Sequence, residues 1–239
     1  AYLLERTGSP AVGAAAGAMR RSGSLPASAS VCHCAARVPG GAGRRHVWPL
    51  VAASGDAVSK LPLRLELAQA APHARGSAAQ FSFASRGAFL SGIGRFDSAF
   101  FGIAPLEAAS MDPRQRMLLE VGYEAFHAGG PASKAPRADG VFLGLEASEW
   151  EGLRQGALRP HALTATSSAV AAGRLSYCLG LQGPCWTCDA ACASSLVALH
   201  CGLQSCEASD ADRALAAGAN LLLLLDASVT MGSAGMLAR

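Results

Sequence analysis

The residues best placed to do chemistry lie in Asp189-Ala190-Ala191-Cys192-Ala193-Ser194-Ser195. Upstream, Leu181 to Cys188 reads as a strand in which Gly183 and Pro184 introduce Cys185, Trp186 and Thr187. Downstream, Leu196, Leu199, Leu203 and Cys206 recur with helical period. The chain is therefore expected to turn sharply from strand to helix at Cys192. A thiol in the first turn of a helix meets unpaired backbone N–H groups and the positive end of the helix dipole, and both favour thiolate over thiol. The same N–H groups could hold the negative oxygen that forms when sulfur attacks an acyl carbonyl. A lone cysteine at a helix start is more often a small apolar packing residue, so the surrounding elements must decide its role.

A metal reading starts from the same cysteines, because Cys185 and Cys188 form a CxxC pair ahead of Cys192. Positions three apart on a strand face opposite sides, and the sequence offers no second CxxC, so no metal site is expected. Cys32 and Cys34 share one face of a short strand with His33 opposite, and are expected to be small core residues. Glu146, Glu149 and Glu151 read as solvated surface rather than paired catalytic carboxylates. His200 falls two turns into the helix after Cys192 and reads as a helix-face residue.

The elements that must position Cys192 alternate between apolar strands and helices. Val31 to Ala36 reads as a strand ended by Arg37-Val38-Pro39-Gly40-Gly41, and Trp48, Leu50 and Val51 begin a short helix closed by Ser54-Gly55-Asp56. Lys60 to Gln80 reads as a surface loop, and Phe96, Phe100, Phe101 and Ile103 as an aromatic core cluster around Asp97. Asp112 can cap a helix with Pro113 at its first position; Met117, Leu118, Val121 and Ala125 share one face, and Gly129-Gly130-Pro131 ends it. Val141-Phe142-Leu143-Gly144 is a short buried strand, and Ser167 or Ser168 can cap a helix through Val170, Ala171 and Leu175. Ala214 to Leu225 reads as a second central strand.

Composition sets the class. With 239 residues and 51% hydrophobic content the chain can bury a sizeable core. A net charge of +3, with Arg44-Arg45-His46 as a short solvated turn, lacks the concentrated basic surface of a nucleic-acid binder. The Ala214–Leu225 run is shorter than the roughly 20 residues a spanning helix needs, so no membrane span is expected. The eight cysteines crowd into two regions and read as reduced thiols, which fits a cytoplasmic protein. Residues 1–28 are rich in Ala, Gly, Ser and Arg and read as a low-complexity tail or linker ahead of a domain over 29–239. Arg20, Arg21 and the serines also resemble an organelle transit segment, although the sequence opens on Ala1. The last residues, Gly235 to Arg239, carry no closing element and read as a cut.

Four stretches resemble the N-terminal part of a β-ketoacyl synthase of the polyketide synthase and fatty-acid condensing type. They are Arg37-Val38-Pro39-Gly40-Gly41 with Trp48 and Asp56-Ala57-Val58; Gly94-Arg95-Phe96-Asp97 through Phe100-Phe101-Gly102-Ile103 and Pro105; Met111-Asp112-Pro113-Arg114-Gln115-Arg116 with Leu118-Leu119-Glu120; and Ala171-Ala172-Gly173-Arg174-Leu175-Ser176-Tyr177 leading into the cysteine block. The resemblance implies an α/β, thiolase-like fold of layered αβαβα type, of which this chain holds the N-terminal half and little of the second. It implies that Cys192 accepts an acyl chain from the phosphopantetheine of an acyl carrier protein. Decarboxylative Claisen condensation with a malonyl-type thioester would follow, with no intrinsic cofactor. One oxyanion donor would be the Cys192 backbone N–H, the second coming from downstream sequence. The family commonly forms homodimers, with the strand before the cysteine, here Gln182 to Thr187, near the interface.

The departures are informative. Condensation in the family uses two histidines of the C-terminal half, one in a His-Gly-Thr-Gly-Thr motif, and none of His33, His46, His73, His127, His161 or His200 sits in such a motif. Ala190 stands where the family commonly has threonine, Cys32-His33-Cys34 replaces small apolar residues and glycine, and the Lys60–Gln80 loop fits poorly. The alternative function is therefore a truncated, non-condensing fragment or an interaction subunit. A member that loads or decarboxylates without elongating is disfavoured, because Cys192 is retained.

Overall fold

The computed structural model describes residues 1–7, 28–42, 44–62, 86–128, 138–153 and 161–237. Its elements in chain order begin with β1 (Tyr2–Thr7), β2 (Ser28–Cys34), β3 (Arg37–Val38), β4 (Gly41–Ala42), α1 (Arg44–Ala52), β5 (Ser59–Lys60) and β6 (Arg86–Gly87). They continue with α2 (Pro105–Ser110), α3 (Pro113–His127), β7 (Asp139–Gly144), α4 (Glu149–Leu153), α5 (Ala162–Thr166) and α6 (Ser168–Leu179). The last are β8 (Cys185–Cys188), α7 (Ser194–Glu207), β9 (Arg213–Gly218) and α8 (Asp226–Ser233).

A mixed five-stranded sheet in the order β2-β1-β9-β7-β8 divides the core. β7 runs parallel to both β8 and β9, whereas β1 is antiparallel to β9 and β2. Period-2 alternation sends successive side chains to opposite faces. Leu3, Val141, Leu143, Leu215 and Ala217 pack on one face with Leu118, Leu119 and Val121 of α3 and Ala171, Ala172 and Leu175 of α6. Leu4, Phe142, Ala214 and Ala216 pack on the other with Ala198 and Cys206 of α7. The result is one sheet between two helix layers.

α3 starts as its sequence requires. The Asp112 carboxylate accepts the Arg114 N–H at 2.7 Å, and Pro113 occupies the first helical position. Asp112 is also paired with the Arg114 guanidinium at 2.8 Å, both side chains being buried. The Ser148 hydroxyl donates to the same carboxylate at 2.6 Å, and Arg114 donates to the Glu146 carbonyl at 3.2 Å. The helix start is thereby tied to the segment that follows β7.

Four expectations need correction. The tail reading of residues 1–28 fails over Tyr2–Thr7, because consecutive Leu3 and Leu4 serve the two opposite cores and the terminal ammonium donates to the Ala35 carbonyl at 2.8 Å. Residues 8–27 lie outside the described residues, as do 63–80 of the expected loop and Gly129-Gly130-Pro131. Cys32 is exposed rather than core, since β1 takes the place beside β9 and leaves β2 at the edge of the sheet. The strand expected over Ala214–Leu225 stops at Gly218, and in the following segment the Leu223 and Leu224 N–H groups are bonded by a side chain. Of the helical-period set on α7, Cys206 is buried and Leu199 and Leu203 pack partly buried against the same core, but Leu196 is 67% exposed, and the most buried positions also include Ser194, Ala198, Gly202 and Ser205. Small residues face the sheet because the helix lies close to it: a Cβ on Gly202 would come within 3.0 Å of Leu4.

Candidate active site

Three strand ends converge at one edge of the sheet. Gly144 of β7 is in register with Cys188 of β8 and Gly218 of β9. The carboxyl ends of parallel strands are where open α/β sheets place their ligands. The chain leaves β8 at Asp189 and begins α7 at Ser194, and the turn between is drawn tight by local bonds. The Asp189 carboxylate accepts the Ala191 N–H at 3.0 Å. Ser194 Oγ accepts the Ala190 N–H at 2.8 Å and donates to the Ala191 carbonyl at 2.6 Å. Ala191 takes a left-handed conformation, φ 51°, which costs a non-glycine residue of order 1–3 kcal/mol and is held here by those bonds.

Cys192 follows directly and is exposed. It precedes the helix by two residues rather than lying in its first turn. The amides of Ala193, Ser194, Leu196 and Val197 already donate to the carbonyls of Ala190, Ala191 and Ala193. The expected array of free helix-start N–H groups around the thiol is thus largely engaged by the turn itself.

Two glycines let this elbow sit on the strand ends. A Cβ on Gly144 would lie 2.4 Å from the Ser194 carbonyl carbon and 2.6 Å from the Ser195 nitrogen, and one on Gly218 would lie 2.7 Å from Ser195 Cβ. Beside the thiol opens a cavity of about 560 Å³, bounded by Glu146, Glu149, Asn220, Leu222 and Met231 as well as Cys192. Glu149 departs from the solvated role expected of it: it is half-buried and accepts the Leu223 and Leu224 N–H groups, each at 2.9 Å.

The remaining candidates fall elsewhere. Burial pushes the Cys178 and Cys188 thiols up, and that of Cys206 to about 11, so these stay protonated near neutral pH. His200 is exposed on α7 as expected. Among the described residues no cluster of His, Cys, Asp or Glu could hold a metal ion, and no helix is long and apolar enough to cross a membrane. Sequence reasoning gave Ser194 no specific role, read Glu149 as solvated surface, and did not single out Gly144 or Gly218. Only the glycines carried a signal, since a glycine ending an apolar strand marks a close approach.

Residues 30–239 match the family model of the β-ketoacyl synthase N-terminal domain. The chain belongs to the β-ketoacyl synthase family. It is 42% identical over 194 residues to a type I polyketide synthase of phenolphthiocerol synthesis from Mycobacterium bovis, covering 78% of this chain and 9% of that protein. It is 40% identical over 201 residues to the erythronolide synthase EryA3 of Saccharopolyspora erythraea, covering 79% of this chain and 6% of that protein. The ketosynthase from module 6 of the bacillaene synthase of Bacillus subtilis 168 superposes with a TM-score of 0.71 at 31% identity, over 86% of this chain and 34% of that one. The chain therefore spans under a tenth of these curated relatives and about a third of the solved ketosynthase. The mixed sheet between helix layers is an N-terminal part of the thiolase-like ketosynthase fold expected from sequence.

Proposed function

We propose that Cys192 is the acyl-accepting nucleophile of this ketosynthase N-terminal half. The observation that carries the reading is an exposed thiol on a strained strand-to-helix elbow, opening on a cavity at the carboxyl ends of three strands. Its thiolate attacks the carbonyl of an acyl thioester held on carrier-protein phosphopantetheine. The tetrahedral oxyanion collapses, the C–S bond to the carrier breaks, and the carrier thiolate leaves while the acyl group stays on Cys192. In the complete domain a malonyl-type thioester then loses carbon dioxide, and its carbanion attacks the Cys192 thioester. That step expels the Cys192 thiolate and lengthens the chain by two backbone carbons. Covalent capture divides one difficult condensation into two easier steps. The Cys192 backbone N–H serves as one oxyanion donor. The partners are an acyl carrier protein and a second ketosynthase, which docks along Gln182–Thr187, where β8 is an edge strand.

The test is acylation followed by intact-mass analysis. A simple acyl thioester should add one acyl mass to the chain, on the peptide containing Cys192, and Cys192→Ala should abolish the adduct. An adduct that persists in Cys192→Ala refutes the assignment.

A second reading, acyl capture without condensation, is favoured for this chain alone by one observation. Among the described residues no histidine lines the cavity. Acylated chain given a malonyl thioester should then release no carbon dioxide above background.

A further inference from the structure

The cavity beside Cys192 has one wall that no strand holds. After β9 the chain runs from Ala219 to Leu225 outside the sheet, with Leu221, Leu223 and Leu225 buried and Asn220 and Leu222 facing the cavity. A buried segment without strand partners must find other acceptors for its backbone N–H groups. Glu149 serves two of them, one carboxylate oxygen receiving both the Leu223 and Leu224 N–H groups at 2.9 Å. α4 also touches the segment through Gly152, where a Cβ would come within 3.2 Å of Leu224.

Glu149 is itself held from behind. Ser148 Oγ donates to the buried Asp112 carboxylate at 2.6 Å and accepts the Trp150 N–H at 3.2 Å. The Trp150 indole donates to the Ser110 carbonyl at 2.9 Å. The α2–α3 junction, packed in the core, therefore fixes α4, and α4 fixes the segment opposite the thiol.

We propose that Glu149 is a positioning residue that sets how large an acyl chain Cys192 accepts, by latching the 219–225 segment so that Leu222 limits the cavity. This inference rests on the acyl-accepting reading of Cys192. Glu149 touches no reacting atom. Its effect is on which chain fits, and only weakly on how readily the thiol reacts with a small reagent.

The experiment uses two probe series on the full chain, saturated acyl thioesters and iodoacetamides N-substituted with alkyl groups of rising length. The rate of modification at Cys192 is read by mass spectrometry. Wild type should favour short chains in both series. Glu149→Ala should raise the long-to-short rate ratio by roughly tenfold, the scale of one or two methylenes in a pocket, while plain iodoacetamide reacts at an unchanged rate. Glu149→Gln, which keeps an oxygen acceptor of the same reach, should restore most of the wild-type ratio. Leu222→Ala, which widens the same wall directly, should move the ratio as Glu149→Ala does. A ratio in Glu149→Ala within twofold of wild type, or a parallel fall for every probe, overturns the proposal, as does a shift in Leu222→Ala with none in Glu149→Ala. Failure of every acyl thioester on wild type would instead sink the acyl-accepting reading, and the alkylating series would still decide the role of Glu149.

Discussion

Replacing Gly144 by alanine tests whether the elbow that carries Cys192 is seated directly on β7. A Cβ there would stand 2.4 Å from the Ser194 carbonyl carbon, 2.5 Å from its oxygen and 2.6 Å from the Ser195 nitrogen. All three atoms are backbone, so no side chain can swing away. Ordinary contact begins near 3.4 Å, so the start of α7 must retreat by about 1 Å. Overpacking of this kind costs about 1–3 kcal/mol, and a displacement near 1 Å in a reacting group can cost on the order of 100-fold in rate. At this chain length the stability loss corresponds to a fall in Tm of roughly 2–12 °C. The control is Gly173→Ala on α6, where a Cβ meets nothing within 4 Å and alanine should stabilise the helix by about 0.5–1 kcal/mol. The assay pairs thermal unfolding with the rate of Cys192 acylation. Gly144→Ala should lose both stability and rate, and Gly173→Ala should lose neither. A Gly144→Ala chain with unchanged Tm and unchanged acylation would show that the strand end does not support the elbow.

Other consequences follow from the buried charges. Asp112→Ala leaves the buried Arg114 guanidinium without its carboxylate and also removes the acceptor of Ser148, so urea unfolding should show a loss of about 3–5 kcal/mol; a loss under about 1 kcal/mol would mean that the pair is not buried as described. The Glu120 carboxyl is held above its ordinary value of 4.5, chiefly by burial, with the neighbouring Arg37 opposing the shift and Glu124 adding to it. Folding thus disfavours its ionised form, and the associated stability is present below pH 4.5 and lost as pH rises through the folded-state value. Glu120→Gln should accordingly raise Tm at pH 7 and leave it unchanged at pH 4, and an equal gain at both values would exclude titration as the cause.

Sequence alone was sufficient wherever the deciding interaction is local. Asp112 caps α3 because its carboxylate is two residues from the N–H that it accepts, and the Val141–Gly144 strand follows from an unbroken apolar run. The nucleophile candidate was legible for the same reason, since a strand, a turn and a helix are written in order around Cys192. What depends on contacts distant in sequence was not legible. Leu3 and Leu4 look like part of a tail until β9, more than 200 residues later, accepts them between itself and β2. The leucines of α7 have the right period for a core, yet the close approach to the sheet selects Ala198 and Gly202 for the buried face.

Leu221 to Leu225 has the composition of a strand and no strand among the described residues to pair with, so the carboxylate of Glu149, 74 residues before Leu223, takes the Leu223 and Leu224 N–H groups. Residue types and short-range order thus determined that a thiol stands at a strand-to-helix turn in a β-ketoacyl synthase frame. Only the tertiary structure decided what surrounds it, because glycines at two strand ends and one half-buried glutamate act across long stretches of chain, where neither periodicity nor propensity carries information.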